Sequence, residues 1–161
     1  MGVSGSGKST IGILLARRLG WEFHDGDHFH PAANVAKMQS GTPLNDDDRR
    51  PWLLAIQRHM TAAEAAGRSE VIACSALKDS YRRLLLCDEP WVRFVHLHGS
   101  RELLASRLGS RQGHFMPATL LDSQLATLEP PTDALQVDVG PEPEDIVSEI
   151  VRRLGLTSIS P

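Results

Sequence analysis

Apolar and polar positions along this chain follow two rhythms. In residues 8–20 (KSTIGILLARRLG), Ile11, Leu14, Leu15 and Leu19 recur at helical spacing, Arg17 and Arg18 fall off that face, and Gly20 supplies a stop. Residues 46–67 open on three aspartates, place Pro51 near the first turn, and run through Trp52, Leu53, Ile56, Met60 and Ala63 to Gly67, which predicts a long helix. Residues 79–86, 100–110 and 143–155 read as three more helices. Between them lie short apolar runs: 21–25 (WEFHD), 70–75 (EVIACS), 92–98 (VRFVHLH) and 134–139 (ALQVDV). These read as strands, and their alternation with helices predicts an α/β fold with a parallel sheet flanked by helices. There is no repeat, low-complexity tract or dividing linker, so the 161 residues are expected to form a single domain.

Composition narrows the function classes. Hydrophobic residues make up 41%, enough for a real core. Lys and Arg total 17 against 20 Asp and Glu, a net charge of −3, which argues against a nucleic-acid partner. Cys74 and Cys87 form no C-x-x-C pair, so neither a disulfide framework nor a zinc knuckle is expected. No apolar run approaches the roughly 20 residues needed to span a bilayer, and no secretory signal pattern opens the chain. The expected address is cytoplasmic, with no membrane partner.

The first ten residues carry the strongest chemical signal. Gly2-Val3-Ser4-Gly5-Ser6-Gly7-Lys8-Ser9 matches G-x-x-x-x-G-K-[ST] at every fixed position. The glycines let successive backbone N–H groups converge on phosphate oxygens, and the helix that follows, starting near Lys8 and Thr10, adds its positive dipole end. Lys8 is positioned to reach the β- and γ-phosphates of ATP, and the Ser9 hydroxyl to ligate Mg²⁺. A dinucleotide fingerprint fails, because Thr10 stands where its third glycine belongs.

A metal-supporting acid often closes a buried strand in such proteins. EVIACS and VRFVHLH end without one, so the acids at a strand end are Asp25 and Asp27 of His24-Asp25-Gly26-Asp27-His28. Either this is an acidic turn, or Asp25 supports the metal and Asp27 accepts a proton from a substrate hydroxyl; beside a phosphate loop we take the second reading. His24, His28 and His30 fit no standard zinc spacing.

Four motifs, in order, then resemble one family. They are Asp25-Gly26-Asp27-His28-Phe29-His30-Pro31; Asn45-Asp46-Asp47-Asp48-Arg49-Arg50-Pro51-Trp52-Leu53; Cys74-Ser75-Ala76-Leu77-Lys78-x-x-Tyr81-Arg82; and Ser106-Arg107-Leu108-x-x-Arg111-x-Gly113-His114-Phe115. With Gln124-x-x-x-Leu128-Glu129 they make most of the chain similar to the gluconate kinases (gluconokinases). The resemblance implies a P-loop fold like the nucleoside monophosphate and shikimate kinases. It also implies transfer of phosphate from ATP to D-gluconate, giving 6-phospho-D-gluconate. The family is typically cytoplasmic and often a homodimer.

Gluconate carries a carboxylate and a run of hydroxyls. Its site is expected to draw on Asp27, His30, Arg49, Lys78 and Arg82, within a substrate-binding segment of about 26–67 and the turn after EVIACS. By residue type alone, Arg49 and Arg50 could be a solvated helix start, and Lys78, Tyr81 and Arg82 an exposed helix face. Cations are unfavourable at a helix N-terminus, and strand ends are where α/β folds bind ligands, so function is preferred. Arg107 and Arg111, four apart on one helical face, are either an ordinary basic helix end or lid arginines (about 107–120) that neutralise the transferring phosphoryl group; the resemblance favours the lid.

The chain departs from the family at its start. There an apolar strand precedes the phosphate loop, whereas here Met1 directly precedes Gly2. The central place in the expected strand order 2-3-1-4-5 is thus left open, and an upstream strand of about 5–6 residues is expected. The alternatives are a related small-molecule kinase such as a shikimate kinase, against which CSALK argues, and a non-catalytic ATP-binding remnant.

Overall fold

The computed structural model describes residues 1–86, 88–109 and 118–157. The elements run α1 (Lys8–Leu19), β1 (Glu22–Asp25), a 3₁₀ turn (Gly26–Phe29), α2 (Ala32–Gln39), α3 (Asp46–Ala65), β2 (Glu70–Ala73), α4 (Asp79–Leu84), β3 (Val95–His98), α5 (Arg101–Gly109), α6 (Ala118–Thr127), β4 (Leu135–Asp138) and α7 (Pro143–Leu154).

The strands pair in parallel as two ladders. β1 lies beside β2, with Glu22 opposite Glu70 and Asp25 opposite Ala73, and β3 lies beside β4, with Val95 opposite Leu135. Met1 and Gly2 sit between the ladders. Met1 N–H donates to the Val95 carbonyl, Leu97 N–H donates to the Met1 carbonyl at 2.9 Å, and Gly2 N–H donates to Ser75 at 3.2 Å. The sequence across the molecule is therefore β1, β2, then Met1 and Gly2, then β3 and β4, so Met1 and Gly2 lie in the place expected of a central strand. Next to them a cleft of about 650 Å³ separates the ladders, lined by Leu15, Ile56, Val71, Ile72, Val95 and Leu97 among others.

Strand alternation sends successive residues to opposite faces. Phe23 and Val71 pack towards α1, where a Cβ on Gly12 would come within 2.6 Å of the Phe23 ring. Ile72 packs on the other face with Trp52, Leu53 and Ile56 of α3. The larger core joins α1, α5 and α7 through Ile11, Leu15, Leu104, Ile146 and Ile150.

The local signals explain the helix ends. Asn45 and Asp48 form a reciprocal capping box at the start of α3, with bonds of 2.8 and 3.0 Å, and Asp46–Asp48 complement the helix dipole. α7 has Pro143 in its first turn, Arg152 and Arg153 in its last, and Gly155 at φ 63° beyond it.

Two helices escape the sequence pattern. α2 (AANVAKMQ) is almost wholly exposed, with Asn34 its only buried residue, so it has no apolar stripe to read. α6 (ATLLDSQLAT) has no acid in its first turn and no base in its last. The strands are each four residues long, so residues 92–94 and 74–75, expected within strands, lie outside them. Among the described residues no helix is long and apolar enough to cross a membrane.

Candidate active site

The phosphate loop is shaped by its main chain. Gly2, Gly5 and Gly7 have φ of 143°, 83° and 81°, values that side chains disfavour. A Cβ on Gly5 would also approach the Leu104 carbonyl of α5 to 2.7 Å. Ser6 is fully buried and its hydroxyl donates to Val3 at 2.8 Å, which braces the loop from within. α1 then begins at Lys8 with no side-chain cap and no acid in its first turn. The dipole of α1 and the N–H groups of its first turn thus suit an anion. Lys8 Nζ donates to the Val3 carbonyl at 3.0 Å, folded back along the loop.

Asp25 links this loop to the next segment. Its Oδ2 accepts from the Ser9 hydroxyl at 3.1 Å, and its Oδ1 accepts from the Asp27 N–H at 3.1 Å. The turn is fixed from behind: Trp52 Nε1 donates to the Gly26 carbonyl at 2.6 Å, and a Cβ on Gly26 would meet the Ala73 carbonyl at 2.6 Å. Asp27 itself is exposed. Ser9 and Asp25 offer two adjacent hard oxygens beside the loop, a donor pair that suits Mg²⁺.

Beyond Asp27 lies a rim of charged side chains. His30 stacks on Trp52 at 4.3 Å between ring centres, and its Nδ1 meets Asn34 Nδ2 at 3.3 Å. Its pKa is lowered, mainly by burial; Asp27 pulls it back up and Arg49 adds to the lowering. Arg49 Nη1 donates to the Tyr81 hydroxyl at 3.1 Å, and Tyr81 in turn donates to Asp46. Lys78 Nζ donates to both Asp46 oxygens at 2.9 and 2.7 Å. Lys78 and Tyr81 hold the Asp46 carboxyl below its ordinary pKa, and the same Asp46 bond raises that of Lys78.

The expected residues Asp25, Asp27, His30, Arg49 and Lys78 thus converge on one region. Arg82 does not join them. It is buried, and its Nη1 donates to the carbonyls of Ala76, Leu77 and Glu129 at 3.0–3.3 Å. It holds the turn after β2, where buried Ala76 adopts φ 45°. Arg107 Nη2 donates to the Val139 carbonyl at 2.7 Å, and Arg111 lies outside the described residues, as does most of the expected lid.

The structure also adds residues that residue-type reasoning missed. Asp46, with nothing in its spacing to mark it, accepts from both Lys78 and Tyr81, and Tyr81, already a candidate beside Lys78, accepts from Arg49. Gln124 Oε1 accepts from the Ser4 N–H at 2.6 Å, so α6 reaches the phosphate loop. Glu129 accepts from the Asp79 N–H at 2.5 Å and steadies the start of α4.

The chain as a whole is similar to several known proteins. The family model described as shikimate kinase matches residues 4–154. A gluconokinase of Gluconobacter oxydans (strain 621H) is 49% identical, with 94% of this chain and 87% of that protein covered. A probable gluconokinase of Xenopus tropicalis is also 49% identical, over 93% of this chain and 88% of that protein. The crystal structure of a gluconokinase from Sinorhizobium meliloti 1021 superposes with a TM-score of 0.85 at 46% identity, covering 96% of this chain and 89% of that one.

Proposed function

The chain belongs to the gluconokinases, within the shikimate-kinase-like P-loop kinases, and from that premise we propose that it transfers the γ-phosphoryl group of ATP to the 6-hydroxyl of D-gluconate. One observation carries the reading in the geometry. Asp25 is bonded at once to Ser9 of the phosphate loop and to the Asp27 main chain, which sets Asp27 where the phosphate end meets the cationic rim.

The residues divide the work. The loop Gly2–Ser9 and the start of α1 hold the phosphates, with Thr10 alongside. Lys8 leaves the Val3 carbonyl and pairs with the β- and γ-phosphates. Asp27 takes the proton of the attacking hydroxyl as its oxygen bonds the γ-phosphorus and the bond to the β-phosphate oxygen breaks. Ser9 and Asp25 would hold Mg²⁺, which when bound neutralises charge on the phosphate oxygens. Arg49 and Lys78, with His30, recognise the carboxylate and hydroxyls of gluconate; exchange of Asp46 for the substrate carboxylate frees Lys78, and Arg49 turns to it from the Tyr81 hydroxyl. Arg107, on α5, and Arg111 complete the charge neutralisation.

A coupled ADP-release assay with gluconate, shikimate and nucleoside monophosphates tests the reading. Turnover with gluconate alone is expected. Preference for shikimate would transfer the chain to the related kinases, and no turnover with any acceptor would leave an ATP-binding remnant.

A further inference from the structure

β1 has a second working face. Phe23 and Asp25 point towards α1, whereas Glu22 and His24 point towards α3. On that face Glu22 stands directly opposite Glu70 in the β1–β2 register. Two carboxylates paired across neighbouring strands repel each other and call for a cation.

Two imidazoles meet these carboxylates. His24 Nε2 lies 3.4 Å from Glu22 Oε2 and 3.2 Å from Glu70 Oε2. His59 of α3 brings its Nε2 to 3.0 Å from the same Glu70 oxygen. The two rings meet edge to face at 4.4 Å, and Phe29 packs against His59 at 5.1 Å. The Glu70 side chain is only 8% exposed. Among the described residues, its Oε1 and His24 Nε2 are buried without a hydrogen-bond partner.

We propose that His24, His59 and Glu70 bind one divalent cation of the zinc class, with Glu22 in reach of a fourth position. The donor atoms of the three residues already lie within 4.8 Å of one another. Tetrahedral zinc, with bonds of about 2.0–2.1 Å, spaces its donors about 3.3–3.4 Å apart, close to the separations here. A single hydrogen bond uses only one of the two imidazole nitrogens that crowd Glu70 Oε2, while a metal takes both at one point. Buried polar atoms rarely go unpartnered, and here an imidazole nitrogen and a carboxylate oxygen do so side by side. Imidazole with carboxylate selects zinc-class ions over Mg²⁺ or Ca²⁺, which prefer oxygen throughout.

The site is distinct from the phosphate end, because His24 and Asp25 leave opposite faces of β1. It joins β1, β2 and the far half of α3, whose first turn carries Asp46 and Arg49. The cation thereby clamps the helix that presents the acceptor rim.

The test uses the full chain, stripped with chelator and free of nucleotide, titrated with Zn²⁺ alone by calorimetry and with Co²⁺ alone by visible absorption. One equivalent is expected, with the intense d–d bands of tetrahedral Co²⁺ and no displacement by excess Mg²⁺. At a hundredfold excess over Kd, the melting temperature should rise by roughly 5–10 °C. His59→Gln and Glu70→Gln should each weaken binding more than tenfold, and His98→Ala on the other ladder should leave it intact. His59 is partly exposed, so its variant remains informative if Glu70→Gln does not fold. Absence of stoichiometric binding would overturn the proposal. So would binding that survives His59→Gln and is lost in Asp25→Asn, since that places the ion at the phosphate loop.

Discussion

At the phosphate loop the main chain does the positioning; at the acceptor rim the side chains do. Gly2, Gly5 and Gly7 hold conformations that side chains disfavour, buried Ser6 braces the turn, and the ligand would be met by N–H groups. Across Asp27, the rim is held by exposed Asp46, half-buried Lys78 and Arg49, and the buried phenol of Tyr81. A main-chain cradle recognises what all its ligands share, the phosphates. A side-chain network can be rearranged one residue at a time, and it is where acceptor specificity is expected to reside.

The sharpest way to break this contrast is at Lys8, the cationic side chain of the phosphate loop. Lys8→Ala should reduce phosphoryl transfer by at least about 10³-fold, because it removes a preorganised cation from the developing charge. Circular dichroism should be unchanged. Substantial remaining activity would mean that the loop does not carry the ATP phosphates.

Asp27→Asn probes the junction of the two regions. Turnover should fall roughly 10²–10⁴-fold, the range for losing a general base, while ATP affinity measured by calorimetry stays level. Loss of ATP binding in this variant would place Asp27 on the phosphate side instead.

Arg49→Met examines the rim alone. The KM for gluconate should rise roughly 10–100-fold, as expected for a hydrogen bond to a charged partner, with the KM for ATP unchanged. Equal changes in both constants would show that the regions are not separable.

The smallest effect concerns pH. His30 has a pKa below its ordinary 6.5, chiefly through burial. In the window between the lowered and the ordinary value the unfolded chain binds a proton that the folded chain does not. Stability is therefore full above about pH 6.5 and falls as the pH drops below it. His96 is shifted in the same direction, mainly by burial, so His30→Gln should flatten this acid slope of the melting temperature without abolishing it. An unchanged slope in the variant would remove His30 from the account.

The same contrast explains what could be read in advance. A main-chain cradle demands glycines at fixed spacing, so Gly2 to Ser9 was legible from residue types alone. So were the long helix, through its aspartate start, and the four strands, to within a few residues. For the rim, family resemblance was joined only by two weaker cues, cations at a helix start and after a strand end, because residues 30, 46–49 and 78–81 come together by folding and not by spacing. Arg82 shows the limit. A basic residue after a strand end looks like a ligand contact, and nothing in its type announces the burial against three carbonyls by which it braces the turn. The His24–His59–Glu70 cluster had no sequence signal, since its members lie on three separate elements.

The most direct measurement of the central claim is phosphorus NMR of the product formed from ATP and gluconate. Transfer to the terminal hydroxyl places phosphorus next to a methylene group, so a gluconate-dependent phosphomonoester signal coupled to two methylene protons, an apparent triplet or doublet of doublets, is predicted. A doublet would mean transfer to a secondary hydroxyl, and no gluconate-dependent signal would mean that gluconate is not the acceptor; either result would contradict the account.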